Sequence, residues 1–148
     1  MDPRFGGYYV EASWFPTGER RRYATTNAAF QAPKPLLPFD GLGGWGAWEL
    51  ALRYSHTDLN DLAGVPGTAA ADDSVRGGEQ SIFGAGVNWY LNSNVKLMFN
   101  YLRVEVDRLN PASPFDAQPF GPPPLTPPTG VQIGQDFSIF AVRGRYGF

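Results

Sequence analysis

The last nine residues, Phe140-Ala141-Val142-Arg143-Gly144-Arg145-Tyr146-Gly147-Phe148, alternate with a period of two. Successive side chains of a strand point to opposite faces, so Phe140, Val142, Tyr146 and Phe148 share one face. Ala141, Arg143, Arg145 and Gly147 share the other. In a soluble protein such an apolar face meets a core and the charged face meets water. In a membrane barrel the apolar face meets lipid and the charged face lines an aqueous lumen. Aromatic residues girdle the bilayer interfaces, so a terminal aromatic on the apolar face favours the barrel. The segment reads as the last strand of an outer-membrane barrel.

Composition points the same way. Aromatic residues make up 15% of the 148 residues and charged residues only 18%, which is sparse for a surface that must face water on every side. No run approaches the roughly 20 apolar residues that a membrane helix needs. Alternation hides the hydrophobicity of a lipid-facing strand from any window average. The chain has no Cys, which removes disulfides, thiolate metal sites and Cys nucleophiles. Its net charge of -2 predicts no general affinity for nucleic acid. Met1-Asp2-Pro3-Arg4 leads straight into strand-like sequence, with neither a basic start nor an apolar stretch of the secretory kind. The simplest expectation is a C-terminal piece of a longer protein. A mature form and a truncated reading frame are the alternatives.

Five strands are predicted from period, aromatic content and β-branching. The first covers 7–15, with Tyr8, Val10, Ala12 and Trp14 outward and Tyr9, Glu11 and Ser13 inward. The second covers 46–57, with Trp48, Leu50, Leu52 and Tyr54 outward and Ala47, Glu49, Ala51, Arg53 and Ser55 inward. The third covers 80–91, with Phe83, Ala85, Val87, Trp89 and Leu91 outward and Ile82, Gly84, Gly86, Asn88 and Tyr90 inward. The fourth covers 95–107, with Val95, Leu97, Phe99 and Tyr101 outward and Lys96, Met98 and Asn100 inward. Beyond Tyr101 the apolar phase breaks down, because Arg103 and Glu105 then point outward. The fifth covers 135–148. Strands of about ten residues suit a tilted membrane crossing.

Loop lengths set an orientation. Outer-membrane barrels have short periplasmic turns and long external loops. Asn92-Ser93-Asn94 is a tight turn and so periplasmic, while 58–79 and 109–134 are long and external. The latter contains Pro122-Pro123-Pro124 and Pro127-Pro128, read as a stiff loop over the pore mouth. The 16–45 connection should then be periplasmic despite its thirty residues, and a short strand near 23–30 would account for part of it.

No enzymatic constellation is apparent. His56, the single histidine, falls at a predicted strand end. Asp58, Asp61, Asp72 and Asp73 fall on the external loop, where acidic oxygens suit calcium, but their spacing matches no calcium loop. Gly77-Gly78 reads as turn material, and no helix follows it to cradle a phosphate. Neither a metal nor a cofactor is expected. The fold expected is all-β, an antiparallel transmembrane barrel fragment that alone forms an open, curled sheet with the first and last strands as free edges. The competing reading is a non-transporting soluble β-sandwich or surface-binding β-domain, which would bury Trp48, Trp89 and Phe99 together within the chain.

Several blocks carry a family resemblance. Trp14-Phe15-Pro16-Thr17-Gly18-Glu19-Arg20 followed by Tyr23 resembles the TGE-R-Y segment of the phosphate-selective porins of the O/P type. Gly46-Ala47-Trp48-Glu49-Leu50-Ala51-Leu52-Arg53-Tyr54-Ser55, then Asp58-Leu59-Asn60-Asp61, resembles that family's GAWEL-ARYS-DLND block. Gly77-Gly78, Gly86-Val87-Asn88-Trp89-Tyr90-Leu91-Asn92, Val95-Lys96-Leu97, Asn100-Tyr101 and the closing strand Arg143 to Phe148 are also similar, in order along nearly the whole chain. The resemblance implies a sixteen-stranded trimeric barrel in the outer membrane, in contact with its lipid, that passes small anions such as phosphate through a basic lumen. It implies passive diffusion without a reaction. It also implies that this chain, 1–148, is about the last third of the barrel domain, with the family's arginine ladder and constriction lysines mostly upstream.

On that basis the inward faces supply the candidates. Arg53, Lys96, Arg143 and Arg145 are the lumen cations, and Glu11 and Glu49 point to the same lumen. Arginine suits phosphate because its planar fork meets two oxygens at once. Glu49 is expected to pair with Arg53 or with an arginine of a neighbouring strand. The run Arg20-Arg21-Arg22 reads as a solvated turn or, more sharply, as a periplasmic funnel for departing anions.

Overall fold

A computed structural model describes residues 2–68, 70–110 and 130–147. The described residues contain seven strands and no helix: β1 (Gly6–Trp14), β2 (Tyr23–Ala24), β3 (Ala29–Phe30), β4 (Ala47–Asp61), β5 (Val75–Tyr90), β6 (Val95–Asp107) and β7 (Gln135–Tyr146). The five long strands form one open antiparallel sheet in the order β1-β4-β5-β6-β7. β1 and β7 end that order, so among the described residues each has one edge without a strand partner, as expected for the first and last strands. Every residue of both is exposed. The proline runs and Phe148 lie outside the described residues.

The soluble sandwich is not what forms. Phe99 is 42% exposed, and Leu52, Phe83, Phe140 and Val142 are exposed with it. The buried residues of the described chain are almost as often charged as apolar, and the largest wholly buried side chain is Glu49. A water-facing domain of this size would instead sequester its large apolar groups.

The chain divides into two compact units. The first comprises Met1–Tyr9, Tyr54–Ile82 and Arg103–Phe137. It carries the connections that follow β4 and β6, and its strands run further than their sequence suggests. β4 continues to Asp61 and β5 starts at Val75, so Gly77-Gly78 is strand rather than turn, and Asp58 and Asp61 are strand rather than loop. Only glycine fits there. A side chain on Gly77 would meet the Leu59 carbonyl oxygen at 2.4 Å, and Gly78 has φ +97° while its N–H donates to Asn60 Oδ1 at 3.0 Å. The same extension places His56 well inside β4. Its Nδ1 lies 3.1 Å from Ser81 Oγ and its Nε2 3.4 Å from Glu79 Oε1, with the Tyr8 ring 5.4 Å away. Arg103 and Glu105 keep the outward phase of β6 and pair along it, and Arg103 also meets Asp136 of β7 at 2.9 Å.

Arg76 organises the long connections of this unit. It is 4% exposed and has no carboxylate partner among the described residues. Its guanidinium donates instead to three carbonyls: Ala63 at 2.9 Å, Thr68 at 2.9 Å and Asn110 at 3.2 Å. Ala63 and Thr68 follow β4, whereas Asn110 follows β6. Gly67 N–H donates to the Gly130 carbonyl at 3.0 Å and Gly130 N–H to Asn110 at 2.9 Å, which closes the arrangement. Buried backbone oxygens need partners, and one planar fork supplies three of them.

The second unit comprises Val10–Arg53, Phe83–Leu102 and Ser138–Phe148. β5 and β6 are joined by the expected tight turn. Asn92 Oδ1 accepts from the amides of Asn94 and Val95 at 2.8 and 2.9 Å, an Asx turn that reverses the chain without glycine. The 16–45 connection contains the short hairpin β2–β3, which accounts for the strand signal near 23–30. Tyr23 pairs with Phe30 and Ala24 with Ala29, and the Tyr23 and Phe30 rings meet edge to face at 5.2 Å. Its start is pinned by the TGE block. Thr17 Oγ1 accepts from Trp48 N–H at 3.0 Å, and the Glu19 carboxylate accepts from Leu36 N–H at 3.0 Å and from the Thr17 hydroxyl.

Candidate functional site

The inward faces of β1, β4, β5 and β6 in the second unit border a cavity of about 700 Å³. Small side chains make the room: Ala51, Gly84 and Gly86 sit in the middle of the wall. Glu11, Glu49, Arg53 and Asn100 supply its polar lining. Arg20, Arg21 and Phe30 line the same cavity, so the first arm of the 16–45 connection folds onto the inward face rather than away from it.

Glu49 is the centre of this wall. It is 0% exposed, and three side chains converge on its carboxylate. Tyr90 OH donates at 2.7 Å, Asn88 Nδ2 donates at 2.9 Å, and Arg21 forms a salt bridge. Asn88 and Tyr90 alternate along β5 as Glu49 and Ala51 do along β4, so strand pairing alone brings three of these groups to one face. A buried carboxylate needs its lone pairs filled and its charge matched. Lys96 of β6 extends the row, its Nζ lying 4.6 Å from the centre of the Tyr90 ring, where the negative π face favours a cation. Nearby, Arg53 Nη1 lies 3.9 Å from Glu11 Oε2 across the β1–β4 pair.

The charges therefore sort themselves. Each acid of the inward wall faces an arginine, Glu49 with Arg21 and Glu11 with Arg53. Arg143, Arg145 and the Arg20 of the connection form no salt bridge among the described residues, and Lys96 forms none either although it lies in the field of the Glu49 carboxylate. What remains on the wall is cationic.

A family description, Phosphate-selective porin O and P, fits residues 1–119. The chain belongs to this family. It is an outer-membrane porin chain, and the family is one of channels rather than enzymes. It is 32% identical to Porin O of Pseudomonas aeruginosa over 108 residues, which cover 73% of this chain and 23% of that protein. It is 33% identical to an uncharacterized protein of Caulobacter vibrioides over 99 residues, covering 67% of this chain and 17% of the other. The porin chain thus spans about a quarter or less of the length of these relatives. No solved structure gives a significant match.

Of the residues singled out in the porin sequence, Glu49 and Lys96 meet through Tyr90, and Glu11 and Arg53 meet each other. Arg143 and Arg145 stand on the exposed edge strand β7. The expected partner of Glu49 was an arginine of a strand. The partner found is Arg21 of the connection, so the 20–22 run is not simply a solvated turn. Tyr90 and Asn88 were assigned the inward face, but their role as ligands of Glu49 was missed. Period shows which face a residue has, not which neighbour it meets across a strand pair. Among the described residues no group of His, Asp and Glu could hold a metal ion.

Proposed function

We propose that residues 1–148 are a C-terminal segment of a porin barrel and that their inward face carries small anions such as phosphate by passive diffusion. The observation that carries this reading is the sorting of charge on the inward wall. Its carboxylates are matched by arginines, which leaves Lys96, Arg20, Arg143 and Arg145 to set the sign of the potential. An anion pore must replace part of the ion's hydration with donors, yet bind weakly enough to release. Arginine and lysine on an otherwise small-residue, wet wall meet both needs. The free edges of β1 and β7 support the same reading, because each unpaired backbone group in lipid costs several kcal/mol and a spanning sheet must close. Closure by neighbouring strands, and trimer formation by the whole porin, belong to this proposal.

The test is charge reversal at both edge arginines, Arg143→Glu with Arg145→Glu, in the full-length porin in planar lipid bilayers. The zero-current potential across a salt gradient is expected to move toward cation preference, and conductance for phosphate to fall at low salt, where screening is weakest. An unchanged potential would overturn the assignment of these two residues to the anion path.

A further inference from the structure

The 16–45 connection has two arms with different surroundings. The first, through Arg20, Arg21 and Phe30, lies on the inward face. The second, 36–45, lies on the outward face, because it packs on the outward side chains Trp48 and Trp89. Those two indoles stack with ring centres 5.1 Å apart and planes 16° from parallel. Both ring N–H groups donate to one acceptor on the arm, the Trp45 carbonyl, at 3.2 Å from Trp48 and 2.8 Å from Trp89. Phe39 meets Trp89 edge to face at 5.2 Å. Two backbone bonds hold the arm to the sheet and to itself, Phe39 N–H to the Leu91 carbonyl at 2.7 Å and Gly46 N–H to the Leu37 carbonyl at 2.9 Å.

The tip of this arm is a closed turn. Asp40 Oδ1 accepts from the amides of Leu42, Gly43 and Gly44 at 2.8, 3.0 and 2.9 Å. The turn has no space for a side chain at Gly44, where a Cβ would lie 1.8 Å from the Pro38 carbonyl oxygen. Asp40 is the single charged residue of 36–45, and its carboxylate is occupied by the turn's own amides. The apolar groups face out instead. Leu42 is 93% exposed and Trp45 72%, with Leu36 and Leu37 also exposed. Polar groups turned inward and large apolar groups turned outward make an unfavourable surface for water. They match a bilayer interface, where tryptophans concentrate at the rim of a barrel and a leucine can enter the acyl region.

We infer that the 36–45 arm is a membrane foot, resting in the phospholipid leaflet at the rim of the outward wall, with Leu42 inserted among the acyl chains and Trp45 at headgroup level. The arm is continuous with the outward side chains Trp48 and Trp89, and the outward face of an outer-membrane barrel meets lipid, which points to lipid rather than a protein partner as its occupant. The inference rests on membership of an outer-membrane family and not on the anion reading, so the two stand or fall on different measurements. One connection then does two jobs. Its inward arm shapes the lumen wall, and its outward arm ties that arm to a fixed depth in the membrane.

The experiment places an environment-sensitive fluorophore at Leu42→Cys in the full-length porin, reconstituted in phosphatidylethanolamine–phosphatidylglycerol vesicles. Ser93→Cys, on the exposed β5–β6 turn, is the water-facing comparison. Leu42→Cys changes an exposed side chain and leaves the turn's hydrogen bonds in place. Emission from Leu42→Cys is expected to be blue-shifted, quenched by a lipid carrying a nitroxide on its acyl chain, and protected from aqueous iodide. Full quenching by iodide would overturn the inference. Protection from both quenchers would also overturn it, by showing that a protein surface, such as a second copy of the porin, covers the foot. In the Leu42→Cys background, Asp40→Ala is expected to abolish the blue shift, whereas Asp40→Asn retains an acceptor and preserves it. The Gly44 and Leu42 amides, with Gly43, hold the Asp40 carboxyl below the usual carboxylate range. A depressed carboxyl pKa stabilises the turn above the unfolded value of about 3.9, and that contribution is lost as pH falls through the lower folded value. The emission should therefore stay constant from neutral pH down to about 4.

Discussion

Glu49→Leu in the full-length porin will cost about 3 kcal/mol of stability, at the lower end of the range for breaking a buried ion pair. The lower end applies because Arg21 is 39% exposed and partly keeps its water, while Glu49 is wholly buried. The loss has three sources. Arg21 loses its counter-charge, Tyr90 OH loses the acceptor at 2.7 Å, and Asn88 loses the acceptor at 2.9 Å. Glu49→Gln will cost less, since its amide oxygen still accepts from Tyr90 or Asn88. Both changes free Arg21 and remove a negative charge from the wall. The first arm of the 16–45 connection should then loosen. Thermal unfolding of the purified porin measures the first effect. Hydrogen exchange at 20–24 measures the second, and an unchanged exchange rate there would falsify the role of Glu49 as the anchor of that arm.

Arg76→Ala will have the second large effect, and a different one. Arg76 touches no carboxylate among the described residues, so its loss leaves no buried charge behind. It leaves three carbonyl oxygens, those of Ala63, Thr68 and Asn110, without their donor. An unsatisfied acceptor costs about 1–3 kcal/mol when fully buried, and these part-buried oxygens recover a share of that from water. A net loss of about 3 kcal/mol raises local opening by on the order of a hundredfold. Hydrogen exchange should show it at Gly67 and Gly130, whose amides close the same arrangement, while the β5–β6 turn stays protected. Arg76→Lys keeps the charge but not the fork, and a single ammonium cannot reach three carbonyls set apart in this way. It should behave more like alanine than like arginine. Equal protection in all three proteins would show that the connections hold themselves together without Arg76.

These two residues mark the limit of what the sequence alone reveals. Glu49 was placed on the inward face by counting along β4, and an arginine partner was expected for it. The partner is 28 positions away, in a segment whose three consecutive arginines carry no periodic signal. Arg76 reads as loop in the sequence, because Gly77-Gly78 looks like punctuation. In the structure both are strand residues, Gly77 under close approach from Leu59 and Gly78 at φ +97° beside Asp107 and Arg108. Glycine marks both situations equally well in a sequence, and only the neighbouring backbone tells them apart. The same holds for His56, whose contacts with Ser81 and Glu79 depend on β5 beginning at Val75.

The five long strands, their inward and outward faces, the tight 92–94 turn and the two free edges were all legible in the sequence. Each is a local consequence of a period of two and of turn chemistry, which neighbouring residues impose on one another within a few positions. The division of the 16–45 connection into an arm on the inward face and an arm on the outward face was decided by the tertiary structure. So were the convergence of Arg21, Asn88 and Tyr90 on Glu49 and the grip of Arg76 on three carbonyls. Those contacts join residues far apart in the chain, and their energy comes from charge and hydrogen-bond partners that no sequence pattern places together.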